Sequence, residues 1–315
     1  MRKTFVELFK QLALKNKDSV LITPDMGFSL FEELEVLFKD TQFFNVGVAE
    51  QNAIGIAAGL ALSGKTVFVY SIVPFITFRC LEQIRIDVCY QNLPIIIVGS
   101  GGGLCYGALG PTHHSIEDIG IMRSLPNMEI YCPADQLEAK KCILRSYALK
   151  KPSYIRLGRG NEQKLHSDAE DIDLLNGCFL KNGDEALIIT SGIIAKNCLE
   201  AATYLKEKFN VDCAVLTFPY INAITKNKVK ELILRWDKLI VVEEHSYENG
   251  IGQLIGYQIA NLMSESDISQ KNIRFKHLGI AHNFVNVVGN HDYLKKRLGL
   301  DTEGLISQLI GFINK

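Results

Sequence analysis

Two periodicities alternate along this chain. Short runs rich in β-branched and other apolar residues recur at Ser19–Thr23, Thr66–Ser71, Pro94–Gly99 and Pro152–Leu157, then at Ala186–Thr190, Val211–Thr217, Lys238–Glu243 and Phe275–Gly279. Such runs predict strands buried in a parallel sheet. Between them lie stretches with helical spacing: the amphipathic start MRKTFVELFKQLALKNKD, Ala53–Leu62, Phe75–Gln91, Glu117–Leu125, Ala134–Ala148, Ile194–Phe209, Lys226–Arg235, the segment from Gly252 onward and Thr302–Ile313. Glu129–Tyr131 predicts one more short strand, and PDMG turns the chain into the acidic stretch FEELEVLFKD. This alternation predicts an α/β fold of two layered domains with mainly parallel sheets. The polar stretch Gly158–Asp173 follows neither period and is the expected linker, dividing 1–165 from 174–315.

One stretch stands out against this pattern. FFNVGVAEQNAIGIAAGLALS, Phe43 to Ser63, runs from a predicted strand at Phe43–Val48 into a helix of very small residues, with Glu50 at the turn. A carboxylate there lies near a helix N-terminus, where open α/β sheets bind ligands. Helix capping is the competing reading, and on spacing alone the better one.

Composition narrows the field. With 47% hydrophobic and 22% charged residues, the chain is that of a globular protein long enough for two domains. Lys plus Arg total 34 against 35 Asp plus Glu, so no global field favours nucleic acid or an anionic membrane. No apolar run approaches the roughly 20 residues that span a bilayer. The eight cysteines form no CxxC pair, so spacing indicates neither a zinc site nor a disulfide scaffold, and a cytoplasmic setting is expected.

The familiar hydrolase motifs are absent: there is no HExxH or GxSxG sequence. Gly250, Gly252 and Gly256 miss the dinucleotide fingerprint by one residue and read as helix–sheet packing. What remains is Glu50, the glycine-rich loop SGGGLCYGALGPTHHS, Phe75 with Phe78, and Arg156 with Arg159.

The order of these features carries a resemblance. FFNVGVAEQNAIGIAAGLALSG, LEQIRIDVCYQNLPIIIVGS, GPTHHSIEDIGIMRSLPNMEIYCPAD and KPSYIRLGRG resemble the pyrimidine-binding half of transketolases and 1-deoxyxylulose-5-phosphate synthases. VVEEHSYENGIGQLIG resembles the C-terminal domain of the same enzymes. The Gly-Asp-Gly motif with which that family holds thiamine diphosphate and Mg²⁺ does not occur here. The resemblance therefore implies the C-terminal subunit of a split transketolase, a transferase of two-carbon ketol units between sugars or sugar phosphates. It further implies an N-terminal partner subunit that carries the diphosphate and Mg²⁺, self-association of this chain into a heterotetramer, and no activity alone.

The same resemblance assigns roles. Glu50 matches the glutamate that bonds N1' of the cofactor pyrimidine, Phe75 the ring that stacks on it, and Phe78 a second aromatic contact. Without the family, Phe75 and Phe78 would read as core. His113 matches a proton-shuttling histidine near the reacting carbonyl, where an imidazole works near neutral pH. Arg159 matches an arginine that holds a sugar phosphate, with Arg156 either supporting it or serving an ordinary salt bridge.

The chain also departs from the family. The usual loop reads approximately SHAGLSVGPDGATHQ, so its first His is Gly101 here, its Asp is Leu109 and its final Gln is His114; an aromatic position of the cofactor loop is Ile72. These substrate-facing changes imply an altered sugar or a lost function, and persistence of Glu50, Phe75, His113 and Arg159 favours the first. Two alternatives stand beside this reading: the β subunit of a 2-oxoacid dehydrogenase, and a non-catalytic partner of a thiamine enzyme.

Overall fold

The computed structural model describes residues 1–160, 162–167, 172–264 and 271–314. Six strands, β1 (Ser19–Thr23), β2 (Phe43–Asn45), β3 (Thr66–Ile72), β4 (Ile95–Ser100), β5 (Glu129–Tyr131) and β6 (Ser153–Leu157), form a sheet in the order β2-β1-β3-β4-β6-β5. Every pairing in it is parallel. A second sheet of β7 (Cys178–Lys181), β8 (Ala186–Thr190), β9 (Cys213–Thr217), β10 (Lys238–Ser246) and β11 (Arg274–Ile280) has the order β11-β10-β8-β9-β7. It is parallel except for the edge strand β7, which runs antiparallel to β9. The expected α/β class with two layered, mainly parallel sheets is the observed one.

Central strands β1, β3, β4, β6, β8 and β9 are buried along their whole length, which is why their sequences lack a polar alternate face. Glycines set the helix-to-sheet spacing in the second unit. A Cβ at Gly252 would lie 2.2 Å from His277 Nε2 on β11, so only glycine lets the helix Ile251–Met263 sit so close. No helix among the described residues is long and apolar enough to cross a membrane.

Local departures from the predicted elements have identifiable causes. The predicted strand Phe43–Val48 stops at Asn45, whose Oδ1 accepts from the backbone of Asp25 and Gly47, and Gly47 turns the chain at φ +74°. The predicted helix Phe75–Gln91 is three pieces: Val73–Thr77 with Pro74 in its first turn, a short turn Leu81–Gln83, and a π-helical segment Ile84–Tyr90. Strand β7 and a helix at His291–Arg297, capped by Asn290 Oδ1 on Tyr293 N–H, were not expected from periodicity. Of the expected linker Gly158–Asp173, residues 161 and 168–171 lie outside the described residues.

The two units are fastened along a buried seam. The glycine-rich loop after β4 closes on itself through paired backbone bonds between Gly103 and Ser115, each 2.8 Å. Glu244 of β10 accepts the Leu104 N–H at 2.5 Å. Arg156 of β6 bonds Asp118 at 2.9 Å and donates Nη2 to the carbonyls of Ser115 and Glu244 at 3.0 and 3.1 Å. One buried guanidinium thus holds the first sheet, the loop and the second sheet together.

Candidate active site

The candidate residues gather where β2, β3, β4 and β6 end, at the C-terminal edge of the first sheet. Glu50 is the first residue of the helix Glu50–Leu62 and is only 4% exposed. Its carboxylate makes no cap bond; it accepts from Arg79 Nη1 at 2.6 Å. The capping reading of the sequence is therefore replaced by an ion pair with one buried and one half-exposed partner.

From this pair a continuous row of side chains follows. The Arg79 guanidinium carbon lies 4.8 Å from the centre of the half-buried Phe75 ring. The His113 imidazole meets Phe75 edge-on, with centroids 5.0 Å apart and planes at 68°. Tyr106 lies 5.9 Å beyond His113, and Arg159 covers the Tyr106 ring at 4.2 Å. Glu50, Arg79, Phe75, His113, Tyr106 and Arg159 therefore span the site from a carboxylate at one end to an exposed guanidinium at the other.

Burial, the neighbouring His114 and the charge of Arg159 all lower the His113 pKa, so its neutral form is favoured near pH 7. Its Nδ1 is 2.9 Å from Thr112 Oγ1, which steadies the ring. His114 is buried instead, with Nε2 3.4 Å from the Gly107 carbonyl and Nδ1 without a partner among the described residues. Burial lowers its pKa, against the Gly107 carbonyl and Glu244.

The remaining candidates divide. Ile72 is buried at the start of the helix Val73–Thr77 and Phe78 is half-buried at its end, so both flank the row without entering it. Leu109 is half-exposed in the turn Gly107–Leu109. Gly101 has φ +78°, and a Cβ there would lie 2.0 Å from the Tyr106 ring. Tyr106 thus fills the volume that a side chain at 101 would need. Arg156 does not join the row: its guanidinium is spent on Asp118 and the seam, the salt-bridge alternative that the sequence left open.

Sequence reasoning missed Arg79 and Tyr106. Arg79 had a signal, since it follows Phe75 by four residues and i, i+4 side chains meet on a helix. Tyr106 had none, because its place depends on the missing side chain at 101. Beyond Arg159 opens a cavity of about 400 Å³, lined also by Cys105, Glu162, Lys196, His291 and Lys295.

Comparison with known proteins identifies the family. Residues 1–164 match the family profile described as Transketolase, pyrimidine binding domain, and residues 177–304 match Transketolase, C-terminal domain. The chain is 31% identical over 316 residues to a subunit of the apulose-4-phosphate transketolase of Phocaeicola vulgatus, covering 100% of this chain and 97% of that one. It is also 31% identical over 317 residues to a putative transketolase C-terminal section of Methanocaldococcus jannaschii, covering 100% and 96%. A solved structure described as a split gene transketolase, inactive beta4 tetramer, superposes with a TM-score of 0.84 at 26% identity, covering 99% of this chain and 97% of that one. With both profiles matched in order and relatives aligned end to end, this chain belongs to the transketolase family and comprises its pyrimidine-binding and C-terminal domains.

Proposed function

We propose that this chain is the C-terminal subunit of a split, thiamine-diphosphate-dependent transketolase that moves a two-carbon ketol unit between sugars. The observation that supports it most directly is the row from Glu50 to Arg159 at the sheet edge. A buried carboxylate and a half-buried phenyl ring held by one guanidinium suit a flat, basic heteroaromatic ring. Thiamine diphosphate, when bound, supplies the nucleophilic carbon that carries the ketol unit.

The chain's own groups supply the rest. Glu50 would hydrogen-bond the pyrimidine at N1' and Phe75 would offer a ring face, with Arg79 moved from both. His113, favoured as the neutral imidazole, accepts and returns the hydroxyl proton of the sugar at the reacting carbon. Arg159 binds the anionic end of a phosphorylated substrate, and Leu109, which offers no polar group, shifts the choice of sugar away from one that needs an acceptor there. The diphosphate and Mg²⁺ belong to an N-terminal partner subunit, in a heterotetramer with two copies of this chain. The expected compartment is the cytoplasm, and the expected division of the chain is 1–165 and 174–315.

The test is reconstitution. Mixing this chain with a subunit bearing a Gly-Asp-Gly motif, adding thiamine diphosphate and Mg²⁺, and following ketol transfer from a panel of ketoses should give turnover. Glu50→Gln should lower that turnover by about 10²–10⁴-fold with the assembly intact. Absence of transfer from every ketose in a formed complex would overturn the proposal, and decarboxylation of a 2-oxoacid would select the dehydrogenase reading.

A further inference from the structure

The three donors least expected from sequence spacing converge at the seam between the two units. Cys105 comes from the loop after β4, Glu244 from the end of β10 and His291 from the start of the helix His291–Arg297. One ligand atom from each lies within 4.8 Å of the other two. We propose that Cys105, Glu244 and His291 form a binding site for a zinc-class divalent cation, with its fourth position open to the cavity beyond Arg159.

The donor set favours such an ion. A thiolate, an imidazole and a carboxylate are the ligand types zinc takes, and a hard cation such as Mg²⁺ does not select sulfur. Tetrahedral coordination at ordinary Zn–S and Zn–N lengths places sulfur and nitrogen about 3.6 Å apart. The most widely spaced donors therefore need to close by at most about 1.2 Å and the carboxylate and imidazole to open by about 0.6 Å, within reach of a thiol rotation and a tilt of the ring. His291 Nε2 and Glu244 Oε2 are already 2.8 Å apart, in a hydrogen bond that the ion would replace.

Support around the donors is in place. Glu244 Oε1 is held by the Leu104 N–H, which fixes the carboxylate and leaves Oε2 for the ion. Gly103, at φ +66°, has no Cβ to strike Glu244 Oε1, from which it would lie 2.1 Å away. The entry path is the cavity, whose lining includes both Cys105 and His291. Of the cations on that wall, Lys295 is paired with Asp292 at 3.0 Å and Lys196 lies 3.6 Å from Glu200, which offsets their repulsion of a dication.

Binding is redox-neutral. The Cys105 S–H bond breaks and its proton leaves to solvent, the His291 ring gives up the Nε2 proton that bonded Glu244 and carries it at Nδ1 instead, and the sulfur and Nε2 lone pairs form the bonds to the ion. Burial and the nearby Glu244 push the metal-free thiol up to about 12, so it stays protonated until the ion arrives. The ion would tie the glycine-rich loop to two elements of the second unit, adding a third fastening to those of Arg156 and Leu104.

Zinc titrated into the full chain by calorimetry should bind 1:1, releasing about one proton in buffers of different ionisation enthalpy. Cobalt(II) should give a thiolate-to-metal charge-transfer band. Cys105→Ser should abolish that band, and Cys105→Ser and His291→Gln should each weaken zinc by more than the about 10–100-fold that loss of a supporting partner costs. Glu244 is left unaltered because it also holds Leu104, and circular dichroism checks that both variants fold. No zinc binding, or binding that neither variant weakens, would overturn the site.

Discussion

Arg79 is bonded to Glu50 at 2.6 Å while its guanidinium covers Phe75 at 4.8 Å, so one side chain occupies both surfaces that a cofactor ring would use. Under the proposed function Arg79 is a stand-in for that ring, holding the buried carboxylate in its place. Arg79→Met should destabilise the isolated chain by about 1–3 kcal/mol, the range for a buried acceptor left without its donor. The deficit should shrink when the partner subunit and thiamine diphosphate are added. Thermal melts of both proteins, alone and assembled, measure this, and an unchanged deficit would count against the stand-in role.

The pH profile should report His113. Its pKa is lowered by burial, His114 and Arg159, so the neutral base persists below the ordinary histidine value of 6.5 and the acid limb of kcat/KM should fall below that pH. Removing a nearby positive charge raises a histidine pKa. Arg159→Gln should therefore move the limb upward, toward 6.5. A limb that stays in place would show that another group controls it.

Arg159 should also separate phosphorylated from unphosphorylated substrates. Losing a charge-assisted contact of about 1.5–3 kcal/mol corresponds to roughly 10–150-fold in kcat/KM. Arg159→Leu should show that loss for sugar phosphates and little change for the free sugars. Equal losses for both would assign Arg159 to the fold of the loop through Tyr106.

Stability should hinge on Arg156. Its partner Asp118 is fully buried and also accepts from Tyr154 at 2.6 Å, so removing the guanidinium strands a carboxylate. Arg156→Met should cost about 3–5 kcal/mol, the range for breaking a buried pair, read as a lower denaturation midpoint. A double variant with Asp118→Asn should recover part of it.

Much of the fold was legible because β1, β3, β4, β6, β8 and β9 are buried on both faces, which leaves an unbroken apolar run in the sequence. Strand β7 was not, since its pattern is half-exposed and its pairing with β9 is antiparallel at an edge. The broken helix after β3 was hidden because its residues have ordinary helical spacing, whereas the break is set by Pro74 and the neighbouring turn. Among candidate site residues, Glu50, Phe75, His113 and Arg159 were picked out from motif order. Arg79 reaches Glu50, 29 residues before it, and Tyr106 fills the space left at Gly101, and one chain read alone does not show which side chain fills another's space.

The fastening of the glycine-rich loop bears on how such a protein can be divided. The segment that presents His113 belongs by sequence to the first unit, yet Glu244 holds its base and Arg156 bonds the Glu244 carbonyl. A break between the two units would leave the Leu104 N–H without Glu244 and the Arg156 guanidinium without one of its two carbonyl acceptors, so the loop would lose its anchor on the second sheet. The two domains are therefore expected to fold and act as one piece, since separating them exposes a seam that neither covers alone.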